Sequence, residues 1–291
     1  MSKVSTIHVL PEFGEEEVYQ SISPHKAGWE LLSFLARNLG IRRKWEGYTE
    51  KNEIALVILG GTCDVHSSKG TWLNIGRRED VFHGMPYTLY LPNDIEFRVE
   101  VVSDQLDIAC GWCPATTQSP ARLVRPDDVK VEIRGGGNAT RQINHMIPPG
   151  FPCERLVVCE VYTPPGNWSS YPPHKHDQHK TDEQGRIVEA DLEEIYFYKM
   201  NPIDGFAYQR VYDSNGSLDE IVMARHNDIV LVPEGYHPVV SGHGYTTYYL
   251  NFLAGSAQSL ASSDDPQYSW IKGTWRERDA RVPVVSMEME K

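Results

Sequence analysis

Residues 172–177 read Pro-Pro-His-Lys-His-Asp, and residues 192–202 read Leu-Glu-Glu-Ile-Tyr-Phe-Tyr-Lys-Met-Asn-Pro. Successive side chains of a strand point to opposite faces, so residues two apart share a face about 7 Å apart along the chain. Read this way, His174 and His176 reach the same side. In the second stretch Glu194, Tyr196 and Tyr198 form one polar face, with Ile195 and Phe197 behind it. Glu193 is an equally placed carboxylate by spacing; Glu194 is chosen because it shares parity with Tyr196 and Tyr198. Further on, the apolar run Ile229–Val232 ends in Pro233-Glu234-Gly235-Tyr236-His237, which puts a third imidazole just past a turn. A lone His-x-His reads more readily as two surface histidines. Three imidazoles and a carboxylate on polar strand faces and strand ends make a donor set suited to a divalent transition metal.

The same pattern of short strands and tight turns extends along the chain. Strands are expected at Glu53–Leu59, Tyr87–Leu91, Phe97–Val102, Leu106–Trp112, Leu156–Thr163, Glu194–Lys199, Phe206–Tyr212, Ile229–Val232 and Tyr245–Leu253, set among 23 glycines and 19 prolines. Long amphipathic helices are scarce. Trp29–Leu39 fits a helical stripe about as well as a buried strand. Residues 114–140 are rich in turn formers and charge and read as a connector, giving two β-rich halves, 1–113 and 141–291. The halves echo each other weakly. Glu53 precedes Gly60 across an apolar strand as Glu194 precedes Asn201, and each half later carries an apolar strand followed by Pro, LYLPNDIEF at 89–97 and IVLVPEGYH at 229–237.

The chain of 291 residues is 40% apolar and 23% charged, enough to bury a core. Its 28 basic and 40 acidic residues leave a net charge of -12. That sign argues against a general nucleic-acid or anionic-membrane binder, though not against a small anion held by one or two local cations. The run IALVIL at 54–59 is too short to cross a bilayer. An odd count of five cysteines, with no apolar stretch of signal-peptide length at the start, fits a reducing cytoplasm.

Other features carry less. Cys110-Gly111-Trp112-Cys113 lacks both a helix to open and a second pair, so it reads as buried strand cysteines. Arg134-Gly135-Gly136-Gly137-Asn138 reads as a flexible turn. His179, His226 and His243 read as surface or supporting residues. Tyr249 and Asn251 share a face and line a cavity or pack in a core.

The histidine pair, Glu194, Pro233, Gly235 and His237 resemble the two motifs of the cupin family, with departures: Asn201 and Asn227 stand where the motifs have Gly. Gly166 lies eight residues before His174 where the motif has six, His237 comes one residue early, and seventeen residues separate His176 from Glu194 where the motif has three or four. From about Trp168 to Gly255 the sequence is similar to the uronate isomerases within the cupins, those acting on 5-deoxyglucuronate in myo-inositol catabolism and on 5-keto-4-deoxyuronate in pectin breakdown. The resemblance implies an all-β bicupin, two double-stranded β-helix barrels in one chain, and settles Trp29–Leu39 as a strand. It implies one divalent ion per chain (Mn²⁺, Zn²⁺ or Fe²⁺) on His174, His176, Glu194 and His237. No His-x-His precedes Glu53, so the first barrel is expected to be metal-free and structural.

The activity implied is an aldose–ketose isomerisation of 5-deoxy-D-glucuronate to 2-deoxy-5-keto-D-gluconate through an enediol(ate). Candidates for the base are Glu194 and the phenols Tyr196, Tyr198 and Tyr249. Arg141, Lys199 and Arg210 are candidates for the substrate carboxylate. A cupin dioxygenase, an isomerase of a related uronate and a sugar-acid-binding module remain as alternative readings. Open barrel edges suggest a homo-oligomer.

Overall fold

The computed structural model describes residues 7–12 and 17–287. Each half is a jelly roll of two facing antiparallel sheets. In the first half the larger sheet has the order Arg122–Val124, Tyr87–Leu91, Asn52–Gly60, Gln105–Pro114, Ser33–Gly40, Val18–Ile22. In the second half the order is His8–Val9, Ile229–Val232, Ile187–Asn201, Thr246–Gly255, Val157–Thr163, Arg141–Ile147, Lys130–Arg134. The smaller sheets also match: Lys44–Tyr48, Glu96–Val101, Cys63–Ser67 and Gly70–Ile75 against Trp168–Ser169, Val239–Ser241, Phe206–Tyr212 and Asp219–Arg225. Six strands of the larger sheets and all four of the smaller ones correspond in order, with Lys130–Arg134 an addition to the second half, so one architecture is present twice.

The outermost matching strands come from outside their own halves. His8–Val9 pairs with Ile229–Val232 of the second half, and Arg122–Val124, from the segment read as a connector, pairs with Tyr87–Leu91 of the first. Lys130–Arg134, also from that segment, closes the second half's sheet against Arg141–Ile147. The segment 114–140 is therefore built into both sheets.

The two halves meet through the outer faces of their larger sheets. Phe34 packs at ring-centroid distances of 5.3 Å from Phe197 and 5.7 Å from Phe252. Gly111 sits where a Cβ would lie 2.2 Å from the Phe252 ring, so this position in Cys-Gly-Trp-Cys is glycine because the aromatic ring lies against the backbone. Cys110 and Cys113 are buried on the strand Gln105–Pro114. Between the halves Arg78 and Glu160 form a buried ion pair at 3.0 Å, also contacted by Tyr162 and Tyr248.

Inside the halves differ. The first is filled by aliphatic side chains, among them Leu56, Ile58, Val65, Leu89 and Ile108. Register corrects the internal echo. Ile54 pairs with Leu91, which precedes Pro92, as Glu194 pairs with Val232, which precedes Pro233. The equivalent of Glu194 is thus Ile54, and Glu53 corresponds to Glu193. Trp29–Leu39 is also amended. The strand begins at Ser33, because the amides of residues 30–32 are turned onto the Glu193 carboxylate. Among the described residues no helix is long and apolar enough to cross a membrane.

Candidate metal centre and cavity

Four elements converge inside the second half. His174–Lys175 pairs with Ser263–Asp264 at the rim, and His176 follows it. Ile187–Asn201, held between Ile229–Val232 and Thr246–Gly255, points Glu194 inward. His237 follows the turn after Ile229–Val232. His176 Nε2 lies 2.9 Å and His237 Nε2 3.3 Å from the same Glu194 oxygen, Oε2. Donor atoms of these three residues lie within 4.8 Å of one another. The His174 ring joins them, 4.8 Å from His237 and 6.5 Å from His176 between centroids.

The imidazoles are oriented from behind. His176 Nδ1 faces Leu192 O at 3.2 Å, His237 Nδ1 faces Gly235 O at 2.9 Å, and His174 Nδ1 faces Pro172 O at 3.5 Å. Carbonyls at Nδ1 fix the tautomer that leaves Nε2 of His174 and His237 as a lone pair; at His176 burial is outweighed by the hydrogen bond of Nε2 to Glu194 Oε2, which raises its pKa. Among the described residues, buried His237 Nε2 makes no hydrogen bond, although it lies 3.3 Å from Glu194 Oε2. Burial, reinforced by neighbouring cations and histidines, pushes His174 down to about 3; burial likewise pushes His237 down to about 3. Both are neutral at pH 7, as a ligand must be. An orphaned nitrogen, two neutral imidazoles and a third imidazole facing a carboxylate fit a divalent cation.

Beside the set opens a cavity of about 420 Å³, lined on one side by His174, His176, Glu194, Tyr196, Tyr249 and Asn251. Tyr196 and Tyr249 hydroxyls meet at Ser170 Oγ, at 2.9 and 3.4 Å, and Tyr249 donates to Ser169 Oγ at 3.0 Å. Burial first, then the Glu194 charge, raises the Tyr196 phenol, and burial pushes Tyr249 up to about 12. Tyr198 shares their face but donates to Gln209 at 2.7 Å and lies off the cavity.

Of the three cations expected near a substrate carboxylate, only Arg141 lines the cavity. Its Nη1 donates to Ala139 O and Tyr171 O, both at 3.1 Å, and among the described residues it has no carboxylate partner. Burial lowers it to about 10. Lys199 has the opposite strand parity to Glu194, so it points into the contact between halves, where it pairs with Asp107 at 2.7 Å. Arg210 lies on the smaller sheet and pairs with Asp219 at 2.7 Å. Both are removed from the site on that ground. His179, His226 and His243 line no part of the cavity.

Sequence reasoning missed Arg134, His145, Lys272 and Trp275, which also line the cavity. Arg134 ends a strand instead of starting a flexible turn, and donates twice to Glu132 at 2.8 and 2.9 Å; Glu132 Oε2 also lies 3.1 Å from His145 Nε2. Alternation in Lys130–Arg134 and Arg141–Ile147 held the signal for two of them. Nothing local marks Lys272 or Trp275, which arrive from the end of the chain.

The KduI/IolB family model matches residues 8–271. The chain belongs to the KduI/IolB family. As a member, it is 41% identical to the 5-deoxy-glucuronate isomerase of Geobacillus thermodenitrificans, covering 88% of this chain and 92% of that one. The enzyme of the same name from Bacillus subtilis strain 168 is 41% identical over 77% and 82% of the two chains. An IolB-like protein of Salmonella typhimurium, solved as a crystal structure, superposes with a TM-score of 0.86 at 35% identity, over 91% of this chain and 98% of that chain. An oxalate decarboxylase structure superposes with a TM-score of 0.63 at 12% identity, over 91% and 80%. That likeness concerns the fold alone and agrees with the bicupin expectation. This KduI/IolB member is an enzyme, an isomerase with a cupin fold.

Proposed function

We propose that the chain converts 5-deoxy-D-glucuronate into 2-deoxy-5-keto-D-gluconate by moving a proton between adjacent carbons. One observation carries the reading: a single cavity is lined by His174, His176 and Glu194, with His237 directly behind them, and by a buried guanidinium without a carboxylate partner among the described residues. A sugar acid brings the two things this cavity lacks, a carboxylate for Arg141 and a pair of neighbouring oxygens at the ligand set. The volume, about 420 Å³, suits a six-carbon substrate.

His174, His176, Glu194 and His237 would hold one divalent ion, Mn²⁺, Fe²⁺ or Zn²⁺. When bound, the ion supplies positive charge against the negative charge that develops as the carbon-bound proton leaves. Arg141 anchors the carboxylate and fixes which carbons face Glu194. Glu194 is the candidate acceptor for that proton. Tyr196 and Tyr249 stay protonated at neutral pH, so they act as donors to the substrate oxygens. Glu194 then returns the carbon-bound proton to the adjacent carbon, while one phenol gives its proton to the carbonyl oxygen and is reprotonated, through Ser170 and the other phenol, by the substrate hydroxyl.

The division into residues 1–113, 114–140 and 141–291 keeps its functional meaning in this proposal: the first half is the structural one, since Ile54 stands where Glu194 stands. A homo-oligomer is also proposed. Tyr208, Ile221 and Met223, exposed side by side on the outer small sheet, support it.

The test is direct. The purified protein with a divalent ion is incubated with 5-deoxy-D-glucuronate and followed by ¹³C NMR, with an oxygen electrode in parallel. A new ketone signal without oxygen uptake is expected. Substrate-dependent oxygen uptake, or an unchanged spectrum, contradicts the proposal.

A further inference from the structure

The acidic stretch between His176 and Glu194 is tied into the ligand set. Asp177–Thr181 folds back on the start of Ile187–Asn201. Asp177 follows His176 directly, and its Oδ2 accepts the Gly235 amide at 2.9 Å. Gly235 lies in the turn two residues before His237, and its carbonyl faces His237 Nδ1 at 2.9 Å. The other Asp177 oxygen meets Lys175 Nζ, whose residue sits between His174 and His176. The same ammonium donates to Glu189 Oε1 at 3.0 Å. Glu189 is fully buried, and its Oε2 takes Lys180 Nζ at 2.7 Å and Ser263 Oγ at 2.5 Å.

We propose that Asp177, braced by Lys175 and Glu189, is a positioning residue that couples the His-x-His strand to the turn carrying His237 and so sets the site's affinity for a divalent ion. The proposal rests on the reading of His174, His176, Glu194 and His237 as a metal site. The chain of contacts is continuous: Glu189 to Lys175, Lys175 to Asp177, Asp177 to the Gly235 peptide, and that peptide to His237. Without the Asp177 carboxylate, nothing in this chain of contacts fixes the turn relative to His176. Partners that orient metal ligands change affinity by about 10–100-fold when removed.

Mn²⁺ is titrated into metal-free wild-type protein, Asp177→Asn, Lys175→Met, the double variant and Glu234→Gln, with affinity read by chelator competition and ligand geometry by electron paramagnetic resonance. Glu234 is exposed in the same turn and serves as the control. Asp177→Asn and Lys175→Met are expected to bind about 10–100-fold more weakly, still at one ion per chain and with an altered resonance. The double variant is expected to match the weaker single one, because both act through one chain. Glu234→Gln is expected to bind as wild type. Wild-type affinity and an unaltered resonance in the folded Asp177→Asn protein, or in Lys175→Met if Asp177→Asn does not fold, overturn the positioning role. A wild-type protein that binds no Mn²⁺ overturns the metal reading beneath it, so the two failures are distinct.

Discussion

Glu53 and Glu193 occupy the same place in the two halves, and each closes its carboxylate on three consecutive main-chain amides of the other half. Glu53 takes the amides of Glu154, Arg155 and Leu156 at 2.8, 2.7 and 2.8 Å. Glu193 takes those of Glu30, Leu31 and Leu32 at 2.6, 3.0 and 2.7 Å. Both triplets immediately precede matching strands, Val157–Thr163 and Ser33–Gly40. Two neighbouring carboxylates, Glu193 and Glu194, thus have separate tasks: one joins the halves and the other faces the histidines.

Glu53→Gln tests this clamp. Glu53 is fully buried, and an amide nitrogen in place of one oxygen would face N–H donors. Losing hydrogen bonds to a buried charged acceptor costs about 2–3 kcal/mol. Urea unfolding should show that loss while metal affinity stays at the wild-type value. A change below about 0.5 kcal/mol would count against the clamp.

Acid should weaken the metal-free protein in a defined window. In the unfolded chain His174 and His237 protonate near 6.5, but in the folded chain both are held neutral down to about 3, by burial first. The unfolded state therefore takes up protons first as the pH falls. Stability is lost between about 6.5 and about 3, at up to about 1.4 kcal/mol per pH unit for each histidine. Urea midpoints measured in chelator at descending pH should fall, and His237→Asn should flatten the slope. An unchanged slope in that variant would contradict the assignment.

Arg141→Met should raise KM about 100-fold with bound metal retained, since a buried carboxylate–guanidinium contact is lost while the ligand set is not touched. Steady-state kinetics with parallel metal analysis reads this. A wild-type KM would place the carboxylate elsewhere.

Tyr249→Phe should lower kcat by about 10²-fold with little change in KM, the signature of a group used as charge develops. Tyr198→Phe, off the cavity, should leave kcat near wild type. Equal effects from the two would assign both phenols to packing.

Much of the site was legible because alternation along a strand is written in the sequence. Parity alone separates Glu194 and Tyr196 from Ile195 and Phe197, and it equally places Lys199 on the wrong face. What stayed hidden depends on contacts between distant segments. Glu53 and Glu193 are both followed by apolar strands, and only the pairing with Leu91 and Val232 shows which residue matches which. Arg210 looks like any other strand cation until its ion pair with Asp219 on the neighbouring strand is seen. Trp275 and Lys272 reach the cavity from a terminal segment with no periodic pattern, and His8–Val9 completes a sheet more than 200 residues away in sequence. Composition and spacing carry no record of such closures.

The central claim is that one cation is gripped in the second half and none in the first, where Ile54 replaces the carboxylate. Metal content per chain, measured by elemental analysis after loading and desalting, tests it most directly. The account predicts one equivalent for the full chain and essentially none for a folded His237→Ala variant. Two equivalents per chain, or one that survives the loss of His237, would contradict it.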